Sequence, residues 1–245
     1  MLVFSLMPTA QATLVILSWT PSRILLAADS LSAKVFNNGQ VTGTIGCKIH
    51  QQGDIFFTIV GVNDDATIKV DLVSIAKQAG RTKGTIVDKM SSFEALAHTQ
   101  VERVMRRAIS RQLGFSEQQR ITVVFASRKD HIIVTKEYLR NSDGSTMSMP
   151  RKSYGGGAAR ASDFIAIGVY AEAEARLANN RNLRRLDGVP FIVGFMGAQF
   201  EHEQQRLKLH HQIPRVGGQI CVLQIEHGKA SWSPGYQSPC PDIKP

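Results

Sequence analysis

The chain has 245 residues, 43% of them apolar, and carries 29 Lys and Arg against 20 Asp and Glu, for a net charge of +9. That length and apolar share suffice for a sizeable core and exclude a disordered chain, and no apolar run reaches the roughly 20 residues of a membrane span. Three cysteines without CxxC spacing, and histidines without HExxH spacing, exclude a disulfide framework and a zinc helix; no metal or other cofactor is expected.

In chain order, residues 1–12 read as the back half of a secretory signal or as a short propeptide: an apolar stretch, a Pro break and the small-x-small end Ala10-Gln11-Ala12. Either reading predicts cleavage before Thr13. The signal-like segment favours export to the periplasm, with the cytoplasm as the alternative. Residues 13–19 and Arg23–Asp29 read as strands joined at Pro21-Ser22. Val35–Thr44 is polar, with a turn at Asn37-Asn38-Gly39. Lys48–His50 and Ile55–Gly61 form the next hairpin.

Helical spacing follows. Ala66–Gln78 aligns apolar residues on one face and stops at Gly80. Ser91 and Ser92 are expected to cap a long helix from Phe93 to Leu113, with Glu94 at its start, arginines at its end and Gly114 as its stop. Ile121–Ala126 and His131–Lys136 pair as a hairpin, and Ser142–Gly157 reads as a Ser- and Gly-rich loop. Phe164–Val169 is a strand. Ala171–Ala178 and a segment around Phe191–Leu209 are helices. Gln219–Glu226 and Ala230–Trp232 close the body over His227-Gly228, and the Pro-rich tail from Pro234 reads as irregular. The expected domain is 13–233, with 234–245 outside it. The order implies an α+β layered sandwich: two packed sheets with helices on both outer faces.

The basic clusters Arg103, Arg106, Arg107, Arg111 and Arg181, Arg184, Arg185 carry no interleaved aromatics, so they read as solvated helix faces, and no nucleic-acid partner is expected. A basic module for acidic partners is the weakest expectation for the whole chain. His202, His210 and His211 read as exposed helix residues. Cys221 lies in an apolar strand pattern and reads as core; a Cys221–Cys240 bridge fits an oxidising compartment.

Chemistry concentrates at the ends of the first strands. A hydroxyl at Thr13, a carboxylate at Asp29 and an amine at Lys48 stand beside apolar runs, and Gly61 ends a fourth. A threonine bearing its own free α-amine is an activated nucleophile, because the amine serves as its base.

These stretches resemble the proteasome β-type and HslV-type peptidases, members of the N-terminal nucleophile hydrolases. A Thr-initiated strand is followed sixteen residues later by the Asp of Leu25-Leu-Ala-Ala-Asp29-Ser; then come Cys47-Lys48-Ile-His50 and Val60-Gly61-Val-Asn-Asp-Asp-Ala66. The resemblance implies a four-layer αββα fold of two antiparallel sheets flanked by helices. It implies Thr13 as nucleophile, its α-amine as proton acceptor, Lys48 as a positive charge beside the hydroxyl, Asp29 as the orienter of that ammonium, and the Gly61 N–H facing the oxyanion. The substrate would be a peptide or small amide and the protein a homo-oligomer; the sequence leaves open whether an ATPase partner exists.

The chain departs from the family pattern. In the stretch corresponding to the family's Gly-Ser-Gly, here Ala166-Ile167-Gly168, Ile167 takes the place of Ser. In the later Asp-x-x-Ser-Gly-Gly, Ile213 and Val216 take the places of Asp and Ser, while Gly217-Gly218 remains. Leu31 follows the Asp-Ser pair where Arg is common. The departures support a second expectation, a catalytically inactive structural or binding protein on the same fold.

Overall fold

A computed structural model describes residues 13–35, 41–65, 68–106, 119–155, 163–180, 182, 186–210, 216–237 and 243. Among them the first strands are β1 (Leu14–Trp19), β2 (Arg23–Asp29), β3 (Leu31–Val35), β4 (Val41–Ile45), β5 (His50–Gln52), β6 (Ile55–Val60), β7 (Asp64–Asp65) and β8 (Val70–Asp71). Helices α1 (Leu72–Gly80) and α2 (Ile86–Arg106) follow, then β9 (Arg120–Ser127), β10 (Ile132–Arg140), β11 (Thr146–Ser148), β12 (Lys152–Gly155) and β13 (Asp163–Gly168). Helices α3 (Ala171–Asn179) and α4 (Gly188–His210) precede β14 (Ile220–Glu226) and β15 (Lys229–Trp232).

The protein is mixed α+β, built on two antiparallel sheets. One runs β13-β1-β2-β14-β15; the other runs β11-β10-β9-β6-β5, with β12 also paired to β10. The central strands are mostly apolar because both of their faces are buried. Val15, Leu17, Leu26, Ala28, Leu223 and Ile225 meet Phe56, Val60, Val124, Ala126 and Ile133 between the sheets. The alternate residues Leu14, Ile16, Leu25, Ala27 and Val222 pack on Ala173 of α3 and Ile192, Phe195 and Met196 of α4. On the far face of the second sheet, Phe57, Ile59, Val123 and Phe125 pack on Ile75 and Ala76 of α1 and Met90, Phe93, Ala97 and Val101 of α2. The period-two pleat thus sorts each strand between two cores.

Several boundaries differ from the sequence reading. The polar stretch after Asp29 is a hairpin in which Leu31 pairs Ile45 and Val35 pairs Val41; the expected Asn37-Asn38-Gly39 turn lies outside the described residues. Helix α1 begins at Leu72, six residues later than expected, because Asp71 caps it by accepting from the Ser74 N–H at 2.8 Å. Helix α2 begins at Ile86. Thr85 and Asp88 form a reciprocal cap: the Asp88 carboxylate accepts from the Thr85 N–H at 2.8 Å and the Thr85 hydroxyl from the Asp88 N–H at 3.3 Å. Ser91 is an interior residue donating to the Val87 carbonyl. The expected end of this helix, at Leu113-Gly114, lies outside the described residues. The expected loop 142–157 contains β11 and β12, which extend β10 at its outer edge.

The segment after Pro234 is irregular, as read, yet it belongs to the body: the Val222 N–H donates to the Tyr236 carbonyl at 2.9 Å, and Ile243 is buried in the core between the sheets. No helix among the described residues is long and apolar enough to cross a membrane.

Truncation of Phe93, fully buried where α2 meets the second sheet, to Ala is expected to cost about 3–5 kcal/mol. Asp71→Ala, which only uncaps α1, is expected to cost about 1 kcal/mol. Urea titrations of both variants check the ordering.

Candidate functional site

Asp29 is the last residue of β2 and is 1% exposed. A carboxylate removed from water must be surrounded by donors, and four hydrogen bonds reach it. Its Oδ1 accepts from the Leu14 N–H at 2.9 Å and from Lys48 Nζ at 3.0 Å. Its Oδ2 accepts from Lys48 Nζ at 3.1 Å and from the Gly217 N–H at 3.2 Å. One side chain therefore joins the start of β1, the loop entering β14 and the loop after β4. Of the predicted site residues, Asp29 and Lys48 are in direct contact, and Thr13 is one peptide unit away through Leu14.

The pair is poised electrostatically. Burial pushes the Asp29 carboxyl up and the Lys48 amine down from their ordinary ranges; the attraction between the two charges and the Leu14 and Gly217 N–H bonds oppose that. Lys48 accordingly sits below the usual lysine range, and its ammonium depends on Asp29 for its charge. An amine so placed can act as a nearby positive charge or exchange a proton.

Thr13 is fully buried at the entry to β1. Its carbonyl accepts from the Val169 N–H at 3.2 Å. Gly168, at φ +100°, lies so close that a Cβ there would overlap the Thr13 carbonyl oxygen; only glycine permits that approach. The Thr13 hydroxyl is buried with no hydrogen-bond partner among the described residues. Thr58 in β6 and Thr122 in β9 share that state; Thr13 differs in directly preceding the Leu14 amide that Asp29 binds.

Gly61 is joined to this group only at second hand. It follows Val60, whose Cγ1 would lie 3.3 Å from a Cβ on Gly168, and it adopts φ +101° with its Cα against the Arg120 carbonyl. The packing against β9 alone requires glycine there.

The structure adds groups that the sequence reading missed. Gly217 is a ligand of Asp29, and its carbonyl accepts from the Leu31 N–H at 3.0 Å. The Ser30 hydroxyl accepts from the Gln219 N–H at 2.8 Å, and the Ser30 carbonyl accepts from the Gly46 N–H at 2.8 Å. Asp29-Ser30 thus pins both neighbouring loops. The available signal was the Gly217-Gly218 pair directly before a strand.

Positions that carry hydroxyls in the resembled family are apolar here in structure as in sequence. Ile167 pairs with Val15 and is buried between the sheets, while Val216 is buried on the helix side. Ile213 lies outside the described residues.

The cysteine reading is corrected. Cys221 is buried, as the core reading expected, and lies outside any disulfide, its thiol donating to the Gln237 carbonyl at 3.7 Å, so it is not bridged to Cys240. Cys47, next to Lys48, is the disulfide-bonded cysteine. Among the described residues no group of His, Cys, Asp and Glu is placed to hold a metal ion. His202 is half-buried on α4, 3.9 Å from Glu172.

No model of a known protein family matches this chain, and no curated protein matches it.

Lys48→Met, which strands a buried carboxylate, is expected to cost about 3–5 kcal/mol. The double variant Asp29→Asn/Lys48→Met is expected to cost less than the two single variants summed. A double-mutant cycle by chemical denaturation measures the coupling.

Proposed function

We propose that this chain is an amide-bond hydrolase with an N-terminal threonine nucleophile, of the proteasome-like kind, on a four-layer αββα fold. The observation that carries the reading is the buried Asp29–Lys48 ion pair bonded to the amide that follows Thr13, beside a threonine hydroxyl that has no structural partner among the described residues.

In the chain as written the Thr13 nitrogen is an amide, joined to Ala12. Cleavage of that bond turns it into an amine with a reference pKa of about 8. The Thr13 oxygen then attacks the substrate carbonyl carbon, and the hydroxyl proton passes to the α-amine. The tetrahedral intermediate expels the amine product, which leaves with that proton. The ester on Thr13 is hydrolysed by water, regenerating hydroxyl and amine. Lys48 favours the deprotonated oxygen, Asp29 holds Lys48, and the Gly61 N–H is the proposed donor to the oxyanion. A peptide or small amide is the substrate class.

The apolar residues at 167, 213 and 216 and the burial of Thr13 favour a second reading, in which the chain remains uncut and serves as a structural or binding protein.

Intact mass of the protein purified from its native host separates the two. Under the hydrolase reading the mass corresponds to a chain beginning at Thr13, and a peptide epoxyketone adds once, at that residue. Peptidase activity is expected to fall at least 100-fold in Thr13→Ala, and to rise with pH as the α-amine deprotonates near its reference value of about 8. An uncut mass with no adduct, or activity retained in Thr13→Ala, overturns it.

A further inference from the structure

Lys48 is carried by the short connection between β4, ending at Ile45, and β5, beginning at His50. The polar side chains of the resembled family are replaced by buried aliphatic ones at 167 and 216. The connection is nevertheless anchored on both sides of Lys48. Before it, the Gly46 N–H donates to the Ser30 carbonyl at 2.8 Å. After it, Ile49 is buried between the sheets. Directly before Lys48, Cys47 is half-buried against the same core, in the company of Cys221 and Ile243, and it is covalently held by a disulfide.

We propose that the disulfide at Cys47 is a positioning device for Lys48, so that the competence of the Thr13 site depends on oxidising conditions. The inference rests on Thr13, Asp29 and Lys48 being the catalytic group. A lysine side chain has large rotamer freedom. Its amine can hold two hydrogen bonds to one carboxylate only if its Cα is fixed. A cross-link at the preceding residue restricts that Cα where no polar side chain at 167 or 216 does so. Cys47 acts through Lys48 and touches no substrate.

Reduction consumes two electrons and two protons and converts the disulfide to two thiols; dithiothreitol supplies them and leaves as its cyclic disulfide. Lys48 then gains freedom, and the Leu14 and Gly217 amides lose a fixed acceptor in Asp29.

The test uses the protein purified from its native host, alongside Cys47→Ser and Cys221→Ser variants. Peptide mapping without reductant should find Cys47 in a disulfide and Cys221 as a free thiol. Epoxyketone labelling of Thr13 should slow at least tenfold on adding dithiothreitol. Cys47→Ser should label at that slow rate and ignore the reductant, while Cys221→Ser should behave as the parent. Hydrogen exchange supplies a readout independent of turnover. Exchange at the Leu14 and Gly217 amides should accelerate at least tenfold on reduction, with Phe57 and Phe125 in the second sheet unchanged.

A free Cys47 thiol in the unreduced protein overturns the proposal. So does labelling that is unchanged by reduction, or loosening that spreads equally to the second sheet, which would mark a general brace. Localised exchange changes without any labelling of Thr13 would instead overturn the hydrolase reading and support the clamp on Lys48.

Discussion

The buried Asp29 carboxylate organises this end of the molecule. It stands at the end of a strand that is otherwise apolar, and it is removed from water at a cost that only a full set of donors offsets. Those donors come from three places distant in sequence: the amide after Thr13, the Lys48 side chain and the Gly217 amide. Each loop that supplies one is thereby held to the same point. Ser30 repeats the device one residue later, accepting from Gln219 and Gly46. The loops around the site are ordered by the demand of one charge for partners, and nonpolar packing fixes the strands behind them.

The layering explains why the polar group lies where it does. Strands β1, β2, β6 and β9 are buried on both faces, so their interiors admit few polar side chains. Chemistry is pushed to strand ends and the loops beyond them, where Thr13, Asp29 and Lys48 are found. Glycines at 168 and 217 let backbones approach where side chains would block them: Gly168 against the Thr13 carbonyl, and Gly217 with its amide on Asp29.

The site combines a well-satisfied pair with an unsatisfied hydroxyl. Asp29 and Lys48 satisfy one another, whereas the Thr13 hydroxyl has no partner among the described residues and Ile167 and Val216 offer none. The proposed hydrolase uses that hydroxyl only after the Ala12–Thr13 bond is cut, since only then does a base appear beside it. The disulfide at Cys47 brings a covalent constraint to the one loop whose lysine must be steady.

Much of this was legible in the sequence, for physical reasons that also mark the limits. Alternation and continuous apolar runs reveal strands with one or two buried faces, so β1, β2, β6, β9 and β14 and the existence of the four helices among the described residues could be read directly. Helix starts were misplaced because several Ser, Asp and Thr residues could cap. Only the chain path decides that Asp71 and Thr85–Asp88 do so, while Ser91 lies inside a turn. The hairpin β3–β4 was missed because its Ser, Thr, Asn and Gly residues read as a loop, although Leu31, Ala33 and Val35 alternate with Ser32 and Lys34. The sequence by itself determined the residue types and spacing that make Thr13, Asp29 and Lys48 a candidate group, along with two sheets' worth of apolar strands. Tertiary structure alone decided that Asp29 bonds the Leu14 and Gly217 amides, that Cys47 and not Cys221 is cross-linked, and that Ile243 returns to the core. Those contacts join residues up to 188 positions apart, and such pairings depend on how the layers stack rather than on any local pattern.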